Sequence, residues 1–307
     1  MNDKQKYILE LKKQKNAIIL AHYYQIPEIQ EVADFLGDSL ALAQAAKSTD
    51  ADIIVFCGVH FMAETAKILN PKKTVLIPDK MACCSLAKSA TPTRFKAWKE
   101  ENPDAVFITY INCSTEIKAL SDIICTSANA EKIVQSIPEN TPICFAPDQN
   151  LGAYIAKKNN REMKLWDGGC HVHLRISEED LKQKMKENRF APVLAHPECP
   201  QNILDYADFI GSTTGIINFA KKCTSKYMII LTETGVLHQM KKDNPDKTFI
   251  TVASNEGEAI NDCEYMKKIT LDNLIDSLEN IQLQIEIDEP LRLAALKPLE
   301  RMLELSK

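Results

Sequence analysis

The chain has 307 residues, 45% apolar and 26% charged, with a formal net charge of −5. That is enough apolar material for several cores, and an acidic balance without a basic cluster disfavours nucleic-acid binding. No apolar run reaches the roughly 18 residues of a membrane span, and the polar start Met1–Lys6 has no signal-peptide core, so a cytosolic location is expected.

From the N-terminus, the first apolar run is Ile18-Ile19-Leu20-Ala21-His22, short enough for a buried parallel strand. Pro27 opens an amphipathic segment over 28–36, which Gly37 ends. Ser39 starts a further helix through Ala46. IIVFCG then reads as a strand, FMAETAKIL as a helix stopped by Asn70-Pro71, and TVLIP as a last strand. A linker over 89–103 follows.

The same framework returns twice, from Val106-Phe107-Ile108-Thr109-Tyr110 and from Pro192-Val193-Leu194-Ala195-His196. His22, Tyr110 and His196 serve as anchors, spaced 88 and then 86 residues apart. That period is the size of a small domain rather than a solenoid unit. Residues 33–39, ADFLGDS, match 207–213, ADFIGST, at the same offset from their anchors. The middle copy is more diverged. A second linker, 177–189, is charged and helical in pattern, and two helical stretches, 271–284 and 290–305, close the chain. Strand–helix alternation predicts an α/β fold with parallel sheets. The expected units are 1–84, 85–172 and 173–264, with a helical tail over 265–307 that packs back on the body.

Seventeen residues after each anchor stands a hydroxyl: Ser39, Ser127 and Thr213. Two residues after each anchor stand Tyr24, Asn112 and Glu198. Strand periodicity would point each of these to the same side as its anchor. In open α/β sheets, ligands bind beyond the carboxyl ends of the strands, where the anchors lie. Hydroxyls at helix starts, with backbone N–H groups and the helix dipole, make anion pockets. One such residue is ordinarily only a cap. Three at a fixed offset, beside paired polar anchors, point to a site for a compound with several carboxylates or a phosphate.

Between 60 and 67 residues after each anchor comes a cysteine: Cys84, Cys170 and Cys263. The chain has ten cysteines and no CxxC pair, which argues against a disulfide framework and against a zinc finger. Three units that each deliver one thiolate point to a shared soft-metal centre: iron–sulfur, zinc or Cu(I). Three cysteines on a [4Fe–4S] cluster leave one iron open as a Lewis acid. Spacing alone does not choose between Cys83 and Cys84. Cys57, Cys125 and Cys144 sit in or beside apolar runs and read as buried hydrophobes. Trp98 and Trp166 read as packing groups, His238 as a surface or packing residue, and His60 and His171 are not needed as ligands. His173 is close enough to Cys170 to reach the site. Gly58, Gly152, Gly168, Gly169 and Gly235 read as ordinary turn residues.

These stretches carry a resemblance. AHYYQIPEIQEVADFLGDSL, CGVHFMAETAKIL, IPDKMACCSLA, TYINCSTEIKALSD, FAPDQNLGAYIA, WDGGCHVH, AHPECP, GSTTGI, TETGVLHQM and ALKPLERML together resemble quinolinate synthases over nearly the whole chain. The resemblance implies three αβα domains around a pseudo-threefold axis, with a [4Fe–4S] cluster at the centre. It implies condensation of iminoaspartate with dihydroxyacetone phosphate to quinolinate, with loss of phosphate and two waters, in NAD biosynthesis. An aspartate-oxidising enzyme would supply iminoaspartate. Cys84, Cys170 and Cys263 resemble the three ligands. His22, Ser39, Tyr110, Asn112, Ser127, His196, Glu198 and Thr213 resemble the substrate contacts. Tyr24 and Glu198 are similar to the acid–base pair, with Tyr110 and His196 beside them. Cys83 departs from the glycine usual beside the first ligand.

Competing readings make distinct demands. A hydro-lyase of the aconitase type would act on a hydroxy-diacid alone. A non-catalytic iron–sulfur sensor needs a partner or DNA surface. A zinc site gives a colourless protein.

Overall fold

The computed structural model describes residues 1–257 and 261–307. Among these residues, twelve strands form three separate four-stranded sheets. The first unit contains β1 (Ala17–His22), β2 (Phe35–Gly37), β3 (Ile53–Cys57) and β4 (Thr74–Leu76). The second contains β5 (Val106–Tyr110), β6 (Ile123–Cys125), β7 (Ile143–Ala146) and β8 (Lys164–Leu165). The third contains β9 (Val193–Ala195), β10 (Phe209–Ile210), β11 (Tyr227–Leu231) and β12 (Thr248–Thr251). The pairings between these strands are parallel, and each sheet has the order second, first, third, fourth. The chain thus leaves its first strand to one side and returns on the other. That reversal opens a crevice at the carboxyl end of the first strand, where each anchor lies.

The first strands form because their apolar residues are covered on both faces: Ile19, Leu20, Phe107, Ile108, Val193 and Leu194 are all buried. The segment after each anchor departs from the sequence reading. A helix is expected over 28–36, but it spans only Pro27–Gln30, and Phe35–Gly37 joins the sheet instead. The cause is an aspartate twelve residues after each anchor. Asp34 Oδ2 accepts from Ile19 N at 2.8 Å while Asp34 N donates to Ile19 O at 2.9 Å. Asp122 makes the same two-bond clamp on Phe107, and Asp208 on Val193. A side chain that competes this well for a strand N–H ends the helix and starts the pairing.

A second polar repeat closes each unit. Fifty-one residues after the anchors stand Lys73, Arg161 and Lys247. Lys73 Nζ donates to Thr49 O and Ala51 O at 2.7 and 2.6 Å. Arg161 reaches Ile137 O, Pro138 O and Thr141 O at 2.6–2.8 Å. Lys247 reaches Ala220 O and Cys223 O at 2.6 and 2.8 Å. Each cation gathers carbonyls just before the third strand of its sheet. Arg161→Met keeps the stem but strips three charge-assisted bonds, so the urea midpoint should fall by the equivalent of roughly 1–3 kcal/mol with little change in m.

The expected linker over 89–103 is instead a packed layer. Its helix Pro92–Glu100 buries Phe95 beside Trp98, Phe107 and Trp166, so both tryptophans are packing groups as expected. The stretch 177–189 is helical, over Glu178–Glu187. In the tail, Leu271–Asn280 packs on the first helix, Asp3–Gln14. Glu289–Leu305 packs on Thr115–Leu120, β6 and His60–Leu69. The first two units and this tail share one continuous apolar interior. The third unit keeps two clusters of its own, which touch the others through Tyr23, Tyr24 and Tyr154.

Turn conformation does not explain the glycines named from the sequence. Among the described glycines only Gly257 has a positive φ. Gly235 is needed for close approach: a Cβ there would stand 2.8 Å from the Cα and carbonyl carbon of Tyr24. A Cβ on Gly168 would collide with the Pro147 carbonyl.

Candidate active site

One cavity is lined by all twelve residues named from the sequence: His22, Tyr24, Ser39, Tyr110, Asn112, Ser127, His196, Glu198, Thr213, Cys84, Cys170 and Cys263. It encloses about 700 Å³, open water at its mouth included. His22 and Tyr110 end β1 and β5, and His196 directly follows β9. Tyr24, Asn112 and Glu198 reach the cavity from the turns beyond the strands, so turn geometry rather than strand alternation places them.

The hydroxyls also differ from expectation. Ser39 and Thr213 are the first residues of their helices, but the caps are Asp38 and Ser212, which accept from Ala41 N and Gly215 N. Ser39 and Thr213 are thereby released from capping. Ser127 is not at a helix start, because its helix begins at Ala130. Its Oγ instead lies 3.2 Å from His196 Nε2.

A buried polar chain runs across the cavity wall. Tyr24 Oη lies 2.8 Å from Thr232 Oγ1 and 3.0 Å from Thr213 Oγ1. Thr232 Oγ1 lies 2.9 Å from His173 Nε2. His173 Nδ1 lies 2.8 Å from Glu198 Oε2. The His173 ring stacks on His196, centroids 4.8 Å apart. Tyr24 and Glu198 are thus linked through two intermediaries. Of these, His173 is more central than its sequence position indicated, and Thr232 is not among the residues named from the sequence.

Burial governs the charge states. It holds His22 and His196 down to about 3, aided at His22 by nearby His196. Both rings are therefore neutral at pH 7. Burial also opposes charge on Glu198, but His196, His173 and the Tyr110 hydroxyl outweigh it and keep the carboxylate ionised. Burial, then the Glu198 charge, raises Tyr24 and Tyr110 well above the ordinary phenol value, so both remain donors. Asn112 Oδ1 and Glu198 Oε1 are buried and meet no protein donor among the described residues.

The three cysteines come from three chain segments, and none is in a disulfide. Burial pushes Cys84 and Cys263 up to about 12 and Cys170 well up, so metal binding must displace their protons. Their charges are close enough to act on one another. Two loops are tied from behind by buried carboxylates that sequence reading missed. Asp148 accepts from Cys170 N at 3.1 Å, and Glu233 from Cys263 N at 3.0 Å. Lys267 donates to Glu233 at 2.7 Å and to the Tyr24 carbonyl at 2.6 Å.

Soft thiols converging in a walled cavity fit an iron–sulfur group. A tighter set, Cys170, His173 and Glu198, has donor atoms within 4.8 Å of one another. Both nitrogens of His173 already face Thr232 and Glu198, so these groups fit a proton relay better than an ion cage. Cys83 also lines the cavity. Cys57, Cys125 and Cys144 are buried as expected; Cys113 and Cys199, to which the sequence assigned no role, are buried too. His238 meets Glu31 at 2.7 Å at the surface, and His60 lies 3.3 Å from Glu64.

A family model described as Quinolinate synthetase A protein matches residues 6–304. The chain belongs to the quinolinate synthase family. It is 52% identical to the quinolinate synthase of Rippkaea orientalis over 305 residues, which covers 99% of this chain and 94% of that protein. It is 54% identical to that of Chloroherpeton thalassium, over 98% and 94% of the two chains. It is 53% identical to that of a Synechocystis strain, over 97% and 94%. The likeness therefore spans all three quinolinate synthase units and the C-terminal helices. No helix among the described residues is long and apolar enough to cross a membrane.

Proposed function

We propose that this quinolinate synthase condenses iminoaspartate with dihydroxyacetone phosphate to quinolinate, with loss of phosphate and two waters. The observation that carries the reading is the single cavity where three thiols meet the Tyr24–Thr232–His173–Glu198 chain. Cys84, Cys170 and Cys263 would hold a [4Fe–4S] cluster. When bound, that cluster supplies one open iron as a Lewis acid for dehydration.

The rest is work for the side chains. The substrates are anionic and the chain is net acidic, so local donors must bind them. Ser39, Ser127, Thr213, Asn112 and the neutral imidazoles of His22 and His196 face the cavity. Tyr110 keeps its proton and orients the bound compound. Glu198, ionised and half-unpartnered, takes protons during enamine formation and carbonyl isomerisation. The proton returns to a hydroxyl through Tyr24, because His173 and Thr232 join the two ends. A separate aspartate-oxidising enzyme is the expected source of iminoaspartate.

The test is anaerobic purification, an absorption spectrum with an iron count, then assay with oxaloacetate, ammonia and dihydroxyacetone phosphate. Brown, iron-bearing protein that forms quinolinate supports the reading. Pale, iron-poor protein, or brown protein that makes no quinolinate, overturns it.

A further inference from the structure

Each of the three cysteines is followed directly by a polar residue: Ser85, His171 and Glu264. Those residues meet. Ser85 Oγ lies 2.7 Å from His171 Nδ1, across 86 positions of sequence. His171 Nε2 lies 2.8 Å from Glu264 Oε2, across 93 positions. Both ring nitrogens are occupied, one by a hydroxyl and one by a carboxylate, so the imidazole is the bridge. Tyr265 sets its ring edge-on to His171, centroids 5.6 Å apart.

Ser85, His171 and Tyr265 line the cavity. The side chains of His171 and Glu264 are 30% and 53% exposed. The arc therefore runs from the cavity wall out to the surface. The three sheets do not pair with one another. The second and third cysteine segments are joined by the antiparallel bridge Ile176–Ser254 and by Arg175, which donates to the Asp262 carbonyl at 2.6 Å, and neither contact reaches the first. Asp148 and Glu233 each tie one loop from behind, whereas Ser85–His171–Glu264 ties all three together.

We infer that Ser85, His171 and Glu264 form a clasp that holds the three cysteine loops in mutual register and slows loss of the metal group. The inference rests on the cluster reading above for its second half only. The register is a property of the metal-free chain. His171 acts here as a positioning residue, through the loops it joins.

The first measurement is hydrogen exchange on metal-free protein. His171→Ala should speed exchange in all three loops, around 83–86, 170–174 and 262–266. Faster exchange confined to 170–174 would overturn the clasp. The second is decay of visible absorbance when an iron chelator is added to anaerobically loaded protein. His171→Ala should lose colour about tenfold faster than the parent, and Glu264→Gln by a smaller factor in the same direction. Parent-like decay in both variants would also overturn it. Should His171→Ala not fold, Ser85→Ala and Glu264→Gln carry both measurements. A parent protein that never takes up iron would strike the cluster reading, and the exchange measurement alone would then decide the clasp.

Discussion

Glu198→Gln should abolish turnover while leaving the visible spectrum and iron content of the loaded protein unchanged. The amide keeps the shape of the side chain, and although Glu198 lies within 4.8 Å of Cys170 it contributes no thiol to the metal group. What it loses is the ability to take a proton, and a positioned base contributes about 10²–10⁴-fold. The environment makes the loss specific. Glu198 is 3% exposed, stays charged beside His196 and His173, and has one oxygen without a protein partner. Folding should survive, because the substitution removes a buried charge rather than creating one. Steady-state assay, iron count and a urea midpoint on one preparation separate these effects. Turnover close to the parent's would remove Glu198 from the role of base.

Serine at Cys84, Cys170 or Cys263 should each give pale protein, low in iron and inactive. The three thiols come from three loops and have no spare copy in Cys170 or Cys263's neighbourhood among the cavity-lining residues. A serine oxygen is a hard, weakly acidic donor and does not replace a soft thiolate on iron. Cys83 supplies the internal control, because it lines the same cavity one residue from Cys84. Cys83→Ser should keep colour and iron. If Cys83→Ser were pale and Cys84→Ser brown, the first ligand would have to be reassigned. If all three ligand variants kept colour and activity, the cavity would hold no such cluster.

Much of this architecture was legible because it is repeated. Long apolar runs ending in His22, Tyr110 and His196 marked the first strands, and fixed offsets led to Ser39, Ser127 and Thr213. The short second strands were not legible: Phe35–Gly37 continues an amphipathic pattern that looks helical. Yet Asp34, Asp122 and Asp208 recur at one offset from the anchors, as do Lys73, Arg161 and Lys247. Attention to polar as well as apolar repeats would have found both clamps. Asp148 and Glu233 were harder. They hold backbone N–H groups of distant loops, and the first unit has Val59-His60 at the corresponding place. His173 was hidden for a similar reason, since its partners Glu198 and Thr232 are 25 and 59 residues away.

The division of the apolar interior has a mechanical consequence. Prising apart the first two sheets would wet oily surface along their whole common seam and under the long C-terminal helix. The third sheet has little apolar contact with the others, at Tyr23, Tyr24 and Tyr154, and otherwise meets them through polar bonds such as Tyr24–Thr232, Ser127–His196 and Gln30–Gly235. Local opening is expected to cost least along this seam, where little apolar surface would be wetted and the polar bonds can be exchanged for bonds to water. His196, Glu198 and Thr213 belong to the third unit, while His22, Ser39, Tyr110 and Asn112 belong to the first two. Opening there would part the two sets of cavity-lining residues and let water in between them.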